Sequence, residues 1–200
     1  MIASTGILLM AAGLSRRYRQ QSGQHKLQTR PVDDNPHPLL ERNLRLATAV
    51  AGRQVNVVLR PEEHQMIALA RRYGCTVTLL ASPGLGSSIA AGVAKCPGWT
   101  GWLVMLADMP WLQQHTLRQV RKMLEHADTV RPRWQQQPGH PVGFGHALRQ
   151  SLLTLSGDEG ASSVLARCPP LWVEVDDPGC VWDIDVPADW QKERENHAFT

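Results

Sequence analysis

Short runs of apolar residues alternate along this chain with stretches whose apolar positions recur every three or four residues. Ile7-Leu8-Leu9-Met10 is continuous, short and rich in branched side chains, and predicts a buried strand. The small residues Ala11, Ala12 and Gly13 then let the backbone turn sharply at its carboxyl end. Residues 18–38 are polar and contain Gly23, Pro31, Pro36 and Pro38, which predicts a long loop. Beyond it, helical spacing over 39–51, a strand over 54–59, a helix over 62–73 opened by Pro61, and a strand over 76–80 follow in turn. A short helix over 87–94, a strongly apolar strand over 102–106 and a helix over 116–127 with Leu117, Val120 and Leu124 on one face continue the pattern. The remainder is less regular: a short strand near 141–144, helices over 147–155 and 161–167, a strand over 171–175, and a terminal helix over 188–196 opened by Pro187, with a frayed tail after Glu195. Such alternation predicts an α/β fold, a Rossmann-like three-layer sandwich with a mostly parallel central sheet. Ligands in such folds sit at the carboxyl ends of the strands. No internal repeat is present, and residues 1–200 are expected to form a single domain.

Composition narrows the function classes. A net charge of +3 without a dense Lys/Arg block argues against nucleic acid as the main partner. The seven tryptophans show no constant spacing and no interleaving with basic residues, so they read as packing and not as a stacking platform. No apolar run approaches the ~18 residues of a membrane span, and the start lacks a secretory signal, so no membrane partner and a cytoplasmic location are expected. Cys75, Cys96, Cys168 and Cys180 form no CxxC pair, which argues against a zinc knuckle or redox motif and for buried reduced thiols.

The chemistry-bearing residues gather after the predicted strands. Ala11, Ala12, Gly13 and Leu14 can bring main-chain N–H groups to an anion, while Ser15, Arg16, Arg17 and Lys26 supply a hydroxyl and cations. An ordinary strand-to-loop turn with surface bases is the alternative. Asp108 lies just past the strand 102–106, with Pro110 stopping further pairing; a carboxylate beside phosphate oxygens requires a hard cation between them, which makes Asp108 a candidate Mg²⁺ ligand. Its alternative is a cap on the following helix. In Asp183-Ile184-Asp185, alternation sends both acids to one side, so Asp185, with Asp183 as a third candidate, could complete the metal site; Asp185 could equally cap the terminal helix. Gly86, Ser87 and Ser88 lie in a glycine-rich turn that opens a small-residue helix and can hold a base edge or a phosphate, although no GxGxxG or GxxxxGK[ST] is present. His140, followed by Pro141 and Val142, could contact a substrate or be a turn residue, and Asp158 and Glu159 could cap the next helix.

Taken in order, MAAGLSRR with a later lysine, PGLGSS, LADMP, GHPVGF, GDEGA and DIDVPADW resemble the MobA-like nucleotidyltransferases over nearly the whole chain, from Leu8 to Trp190. Within that family the chain is most similar to the molybdenum cofactor cytidylyltransferases, whose first motif reads AAG where the guanylyltransferase branch carries AGG. The resemblance implies a nucleotide-diphospho-sugar transferase-like sheet, Mg²⁺ dependence, and transfer of CMP from CTP to the phosphate of molybdopterin, with a molybdoenzyme as recipient of the product. It implies nucleotide binding at residues 11–16, Lys26 and 86–88, catalytic roles for Arg16, Lys26 and Asp108, metal binding at Asp108 and Asp185, and acceptor contacts at His140, Pro141, Asp158 and Gly160. The first loop departs from the family's tight Ser-x-Arg…Gly…Lys pattern: Tyr18 to Gln24 lengthen it, and Gly23 stands as its glycine if Lys26 is the matching lysine. Guanylyl transfer, transfer to a sugar or polyol phosphate, and a non-catalytic cofactor carrier are the competing functions; a carrier has no need of Asp108 and Asp185 facing one phosphate site.

Overall fold

The computed structural model describes residues 5–30 and 35–191. Its first half runs β1 (Thr5–Met10), α1 (Arg16–Ser22), α2 (Leu39–Ala51), β2 (Val55–Leu59), α3 (His64–Arg72), β3 (Thr76–Leu79), α4 (Leu85–Lys95) and β4 (Gly101–Leu106). The second half adds α5 (Gln114–Met123), β5 (Thr129–Trp134), β6 (Gln137–Pro138), β7 (Val142–Gly145), α6 (Arg149–Leu153), α7 (Ser162–Arg167) and β8 (Leu171–Glu174). The strands form one eight-stranded sheet in the order β3-β2-β1-β4-β7-β5-β6, with β8 beside β5. β1 pairs in parallel with β2 and β4, and β2 with β3; β7 runs antiparallel to both β4 and β5, whereas β8 is parallel to β5.

The continuous apolar run of β1 has its cause in this arrangement, because both faces of the strand are covered. Ile7 and Leu9 belong to one core, with Leu40 and Leu44 of α2, Met66 of α3 and Leu117 of α5. Leu8 and Met10 belong to the other, with Ile89 and Val93 of α4, Leu152 of α6 and Val164 of α7. Ile7, Leu8 and Leu9 are wholly removed from solvent, about 1.5–3 kcal/mol of apolar burial each. The parallel strands all end on one edge, and β7, running the other way, starts there.

Two expectations change, and one strand appears that the apolar pattern does not predict. The polar stretch read as a loop contains α1 and a 3-10 turn at Lys26–Gln28, because Gly23 at φ 72 closes the short helix with its N–H bonded to Arg19. β5 was hidden by Pro132 and two arginines; Pro132 gives up one donor, yet its carbonyl accepts from Gly139 N at 2.8 Å. The expected terminal helix is a 3-10 turn at Pro187–Gln191, and the rest of its predicted length lies outside the described residues. Cys75, Cys96 and Cys180 are buried free thiols and Cys168 is partly buried. Among the described residues no helix is long and apolar enough to cross a membrane.

Candidate active site

The turn after β1 leaves Gly13 and Leu14 exposed above buried Ala11 and Ala12. Ser15 takes a left-handed conformation (φ 54) to enter α1. Its hydroxyl accepts the Lys26 main-chain N–H at 2.9 Å, joining the turn to the lysine across the inserted helix. His25 makes a second link. Its Nδ1 accepts from Leu27 N (3.2 Å), so Nε2 carries the hydrogen and donates to Gly13 O (3.2 Å). Burial lowers the His25 pKa, with Glu63 partly opposing, and holds the ring neutral.

Lys26 is thereby aimed at the acids. Its Nζ donates to Asp108 Oδ2 (2.8 Å), Ile184 O (2.7 Å) and Asp185 Oδ1 (3.2 Å). Burial pulls its pKa down, but Asp108 and then Asp185 outweigh that and the net shift is upward. Arg17 meets the other oxygen of Asp185 at 2.8 Å. Asp183 joins the group: one carboxylate oxygen each from Asp108, Asp183 and Asp185 lies within 4.8 Å of the others. Burial raises the Asp183 pKa, and the charges of Asp108 and Asp185 raise it further. Asp108 Oδ1 is buried without a hydrogen-bond partner. Three hard oxygen donors and an orphaned carboxylate oxygen fit a divalent Mg²⁺ or Mn²⁺ ion.

Long-range contacts hold both acidic segments. Ile184 N donates to Asp108 O at 2.9 Å, pinning the second acidic segment to the first. Buried Asn43 of α2 donates to Ala107 O at 3.0 Å. Asp189 accepts from the N–H groups of Asp185 (2.7 Å) and Val186 (2.9 Å), so it is Asp189 that caps this turn, while the Asp185 carboxylate faces the cations. Asp108 is not a helix cap either. The start of α5 is held by wholly buried Asp177, whose Oδ2 accepts from Gln113 N (3.0 Å) and Thr116 Oγ1 (2.6 Å). Edge-to-face contacts link Trp134 to Trp182, Trp182 to Trp111 and Trp111 to Trp190, with centroids 5.8, 6.1 and 5.9 Å apart, and Trp190 Nε1 donates to Tyr18 on α1. Sequence reasoning passed over His25, Asn43 and Asp189. Only Asn43 left a signal, a polar residue at a position where the apolar phase of α2 predicts burial.

The cleft has two lobes. One, of about 370 Å³, lies between Ala11, Ser15, Lys26 and Asp185; the other, of about 330 Å³, is walled by Ala12, Gly84, Ser88 and Asp158. Gly13, Leu14, Arg16 and Asp108 border both. In the second lobe the hydroxyls are committed to a joint between loops: Ser87 Oγ accepts from Gly157 N at 3.1 Å, and Ser88 Oγ bonds Ser82 Oγ at 2.7 Å. Gly86 N donates to Gly157 O at 2.9 Å. A side chain at Gly84 is excluded, since its Cβ would collide with the Gly157 main chain. The α7 start takes no side-chain cap, so neither Asp158 nor Glu159 serves it, and Gly160 packs under Leu85.

His140 sits at the carboxyl edge of β4, its Nδ1 3.5 Å from Val104 O, and it precedes buried Pro141. Burial, with Arg131 adding to it, pushes its pKa down to about 4 against the opposing pull of Asp108. The unfolded chain therefore takes up a proton that the fold refuses. Stability is complete above pH ~6.5 and falls by about 3 kcal/mol as the pH drops to ~4. Urea unfolding at pH 7 and pH 4.5 should show this loss in the wild type and a smaller one in His140→Gln; equal losses would remove His140 as the cause.

The whole architecture recurs in solved structures. Rv0371c of Mycobacterium tuberculosis H37Rv superposes with a TM-score of 0.81 at 25% identity, covering 98% of this chain and 100% of that one. A structure of Rv0371c complexed with manganese gives 0.78 at 23% identity, covering 96% and 99%. Molybdopterin-guanine dinucleotide biosynthesis protein A of Archaeoglobus fulgidus gives 0.69 at 19% identity (98% and 100% covered). A cytidylyltransferase of Leptospira borgpetersenii gives 0.74 at 13% identity (99% and 88% covered). These last two share the fold. No curated protein matches the chain by sequence. The family's own sequence model does, from Ile7 in β1 to Leu171 in β8, and on that match the chain belongs to the MobA-like NTP transferase domain family and is a nucleotidyltransferase.

Proposed function

We propose that this protein transfers CMP from CTP to the terminal phosphate of molybdopterin, with Mg²⁺ required, giving a cytosine dinucleotide and pyrophosphate. The observation that carries the reading is Lys26, held by the phosphate-loop side of the cleft and bonded to both Asp108 and Asp185. A cofactor carrier has no use for that convergence. The choice of CTP rests on Ala11-Ala12-Gly13. In this reading the N–H groups of residues 11–15 and the charge of Arg16 receive the triphosphate, residues 86–88 border the base, and His140, Pro141, Asp158 and Gly160 border the acceptor. Residues 1–200 act as one domain, in the cytoplasm, and a molybdoenzyme takes the product.

Asp108, Asp185 and Asp183 would hold the Mg²⁺, which supplies Lewis-acid polarisation of phosphoryl oxygens when bound. The chain's own contribution is positioning and charge. Lys26 and Arg16 neutralise the leaving pyrophosphate, and neutral His140 brings no competing charge. The acceptor phosphate oxygen forms the new bond to the α-phosphorus, the bond from that phosphorus to the α–β bridging oxygen breaks, and its electron pair leaves on pyrophosphate. The attacking oxygen is already ionised, so no general base is needed.

Pyrophosphate release with Mg²⁺ and molybdenum-loaded molybdopterin, run with CTP, GTP, ATP and UTP, tests the reading. Release with CTP alone is the expected result. A preference for GTP would reject the cytidylyl assignment, and silence with all four would reject the acceptor.

A further inference from the structure

Alternation along β5 sends Val130 and Trp134 to one core and turns Arg131 and Arg133 to the opposite face. The two arginines have different surroundings. Arg133 is ion-paired with Glu174 and lies over the Trp172 ring at 5.6 Å. Arg131 is partly buried and makes one hydrogen bond, from Nε to Gly139 O at 2.9 Å. Among the described residues it has no ion pair and its two Nη groups have no partner. Half-burying a guanidinium without a counter-ion carries a cost, and burial accordingly lowers its pKa, while the terminal N–H groups still reach solvent.

Its location gives that cost a use. The sheet order β1-β4-β7-β5 puts the Ala11–Ser15 turn on one side of Asp108 and Arg131 on the other. Gly139, which Arg131 bonds, is followed by His140, and His140 feels the charges of both Arg131 and Asp108. In an in-line displacement the attacking and leaving oxygens lie on opposite sides of the phosphorus. With pyrophosphate on the β1 turn, the attacking group comes from the side of β7 and β5. A guanidinium fork with free terminal N–H groups suits the two oxygens of a phosphate better than a point charge does.

We propose that Arg131 anchors the acceptor by its phosphate monoester, on the β7–β5 side of Asp108, and so selects acceptors that end in a phosphate. The proposal rests on the transfer reading above and adds to it a residue that neither the motifs nor the two lobes of the cleft include.

Arg131→Gln removes the charge but keeps an N–H donor, and Arg131→Lys keeps the charge but loses the fork. Arg131→Gln is expected to raise the acceptor KM about 30-fold or more while the CTP KM stays within about twofold, with partial recovery in Arg131→Lys. A direct readout is calorimetric titration of inorganic phosphate into protein saturated with Mg²⁺ and α,β-methylene CTP, where Arg131→Gln should weaken binding about tenfold or more. An unchanged acceptor KM with unchanged phosphate affinity overturns the proposal, as does a rise in the CTP KM equal to the rise for acceptor. Wild-type protein that transfers to no phosphate acceptor overturns the transfer reading instead, and the phosphate titration then decides Arg131 by itself. If Arg131→Gln does not fold, Arg131→Lys decides: wild-type values for both ligands overturn the proposal.

Discussion

Asp108→Asn should lower kcat by about 10³-fold or more with the fold intact, because the substitution keeps the volume of the side chain and removes its charge. The backbone around it does not depend on that charge. Asp108 O still accepts from Ile184 N, Ala107 O from Asn43, and α5 is still capped by Asp177. What disappears is one of three carboxylates and with it the buried oxygen that has no partner in the protein. Mn²⁺ binding, read by electron paramagnetic resonance, should weaken in parallel, while the thermal melt stays within a few degrees of wild type. Near-normal turnover in a folded Asp108→Asn protein would remove this residue from the metal centre.

Lys26→Met should damage both substrate binding and stability, the second in a manner that metal reverses. The lysine side chain is 12% exposed and its ammonium is shared between carboxylates, so its removal leaves Asp108 without its cation beside Asp185, which keeps only the exposed Arg17. The Asp185 side chain is 47% exposed, and solvent screens part of the repulsion, which sets the expected loss at about 1–3 kcal/mol. Millimolar Mg²⁺ should restore most of it by supplying the missing positive charge. The CTP KM should rise about 30-fold or more. Since the folded pKa of Lys26 lies above its ordinary 10.5, the stabilisation is complete below that pH and fades as the pH climbs through the raised value. A Lys26→Met protein that melts like wild type without Mg²⁺ would show that the ammonium contributes nothing to the fold.

The legible part of this molecule was the part whose physics is local. A strand buried on both faces must be continuously apolar, and β1 and β4 declare themselves that way; the turn and the acid follow from where those runs stop. The β5–β6 hairpin leaves no such trace. Its arginines sit on a sheet face, and its turn uses Gln135 and Gln136 at positive φ where Asn-Gly would have announced it. Asp177 was invisible as a cap because it comes from the far side of the chain to a helix that begins at Gln114. Asp183 and Asp185 share a side, as alternation predicts, yet only the contacts of Ile184 and Asp189 determine that this side faces Lys26.

Those contacts have a consequence for the order of assembly. The match to the family model ends at Leu171, whereas two of the three clustered acids, and the tryptophan and aspartate that fasten them, come after. A nascent chain emerging from the ribosome can pair β1, β2, β3 and β4 and close much of both cores before residue 183 exists. It holds Lys26 and Asp108 without the segment that completes them, since the bonds from Lys26 to Ile184 and Asp185 span 158 and 159 residues. In the proposed reading, binding of metal and nucleotide at full strength thus awaits the final loop closure, and a ligand present during synthesis would act on that last docking step rather than on the sheet.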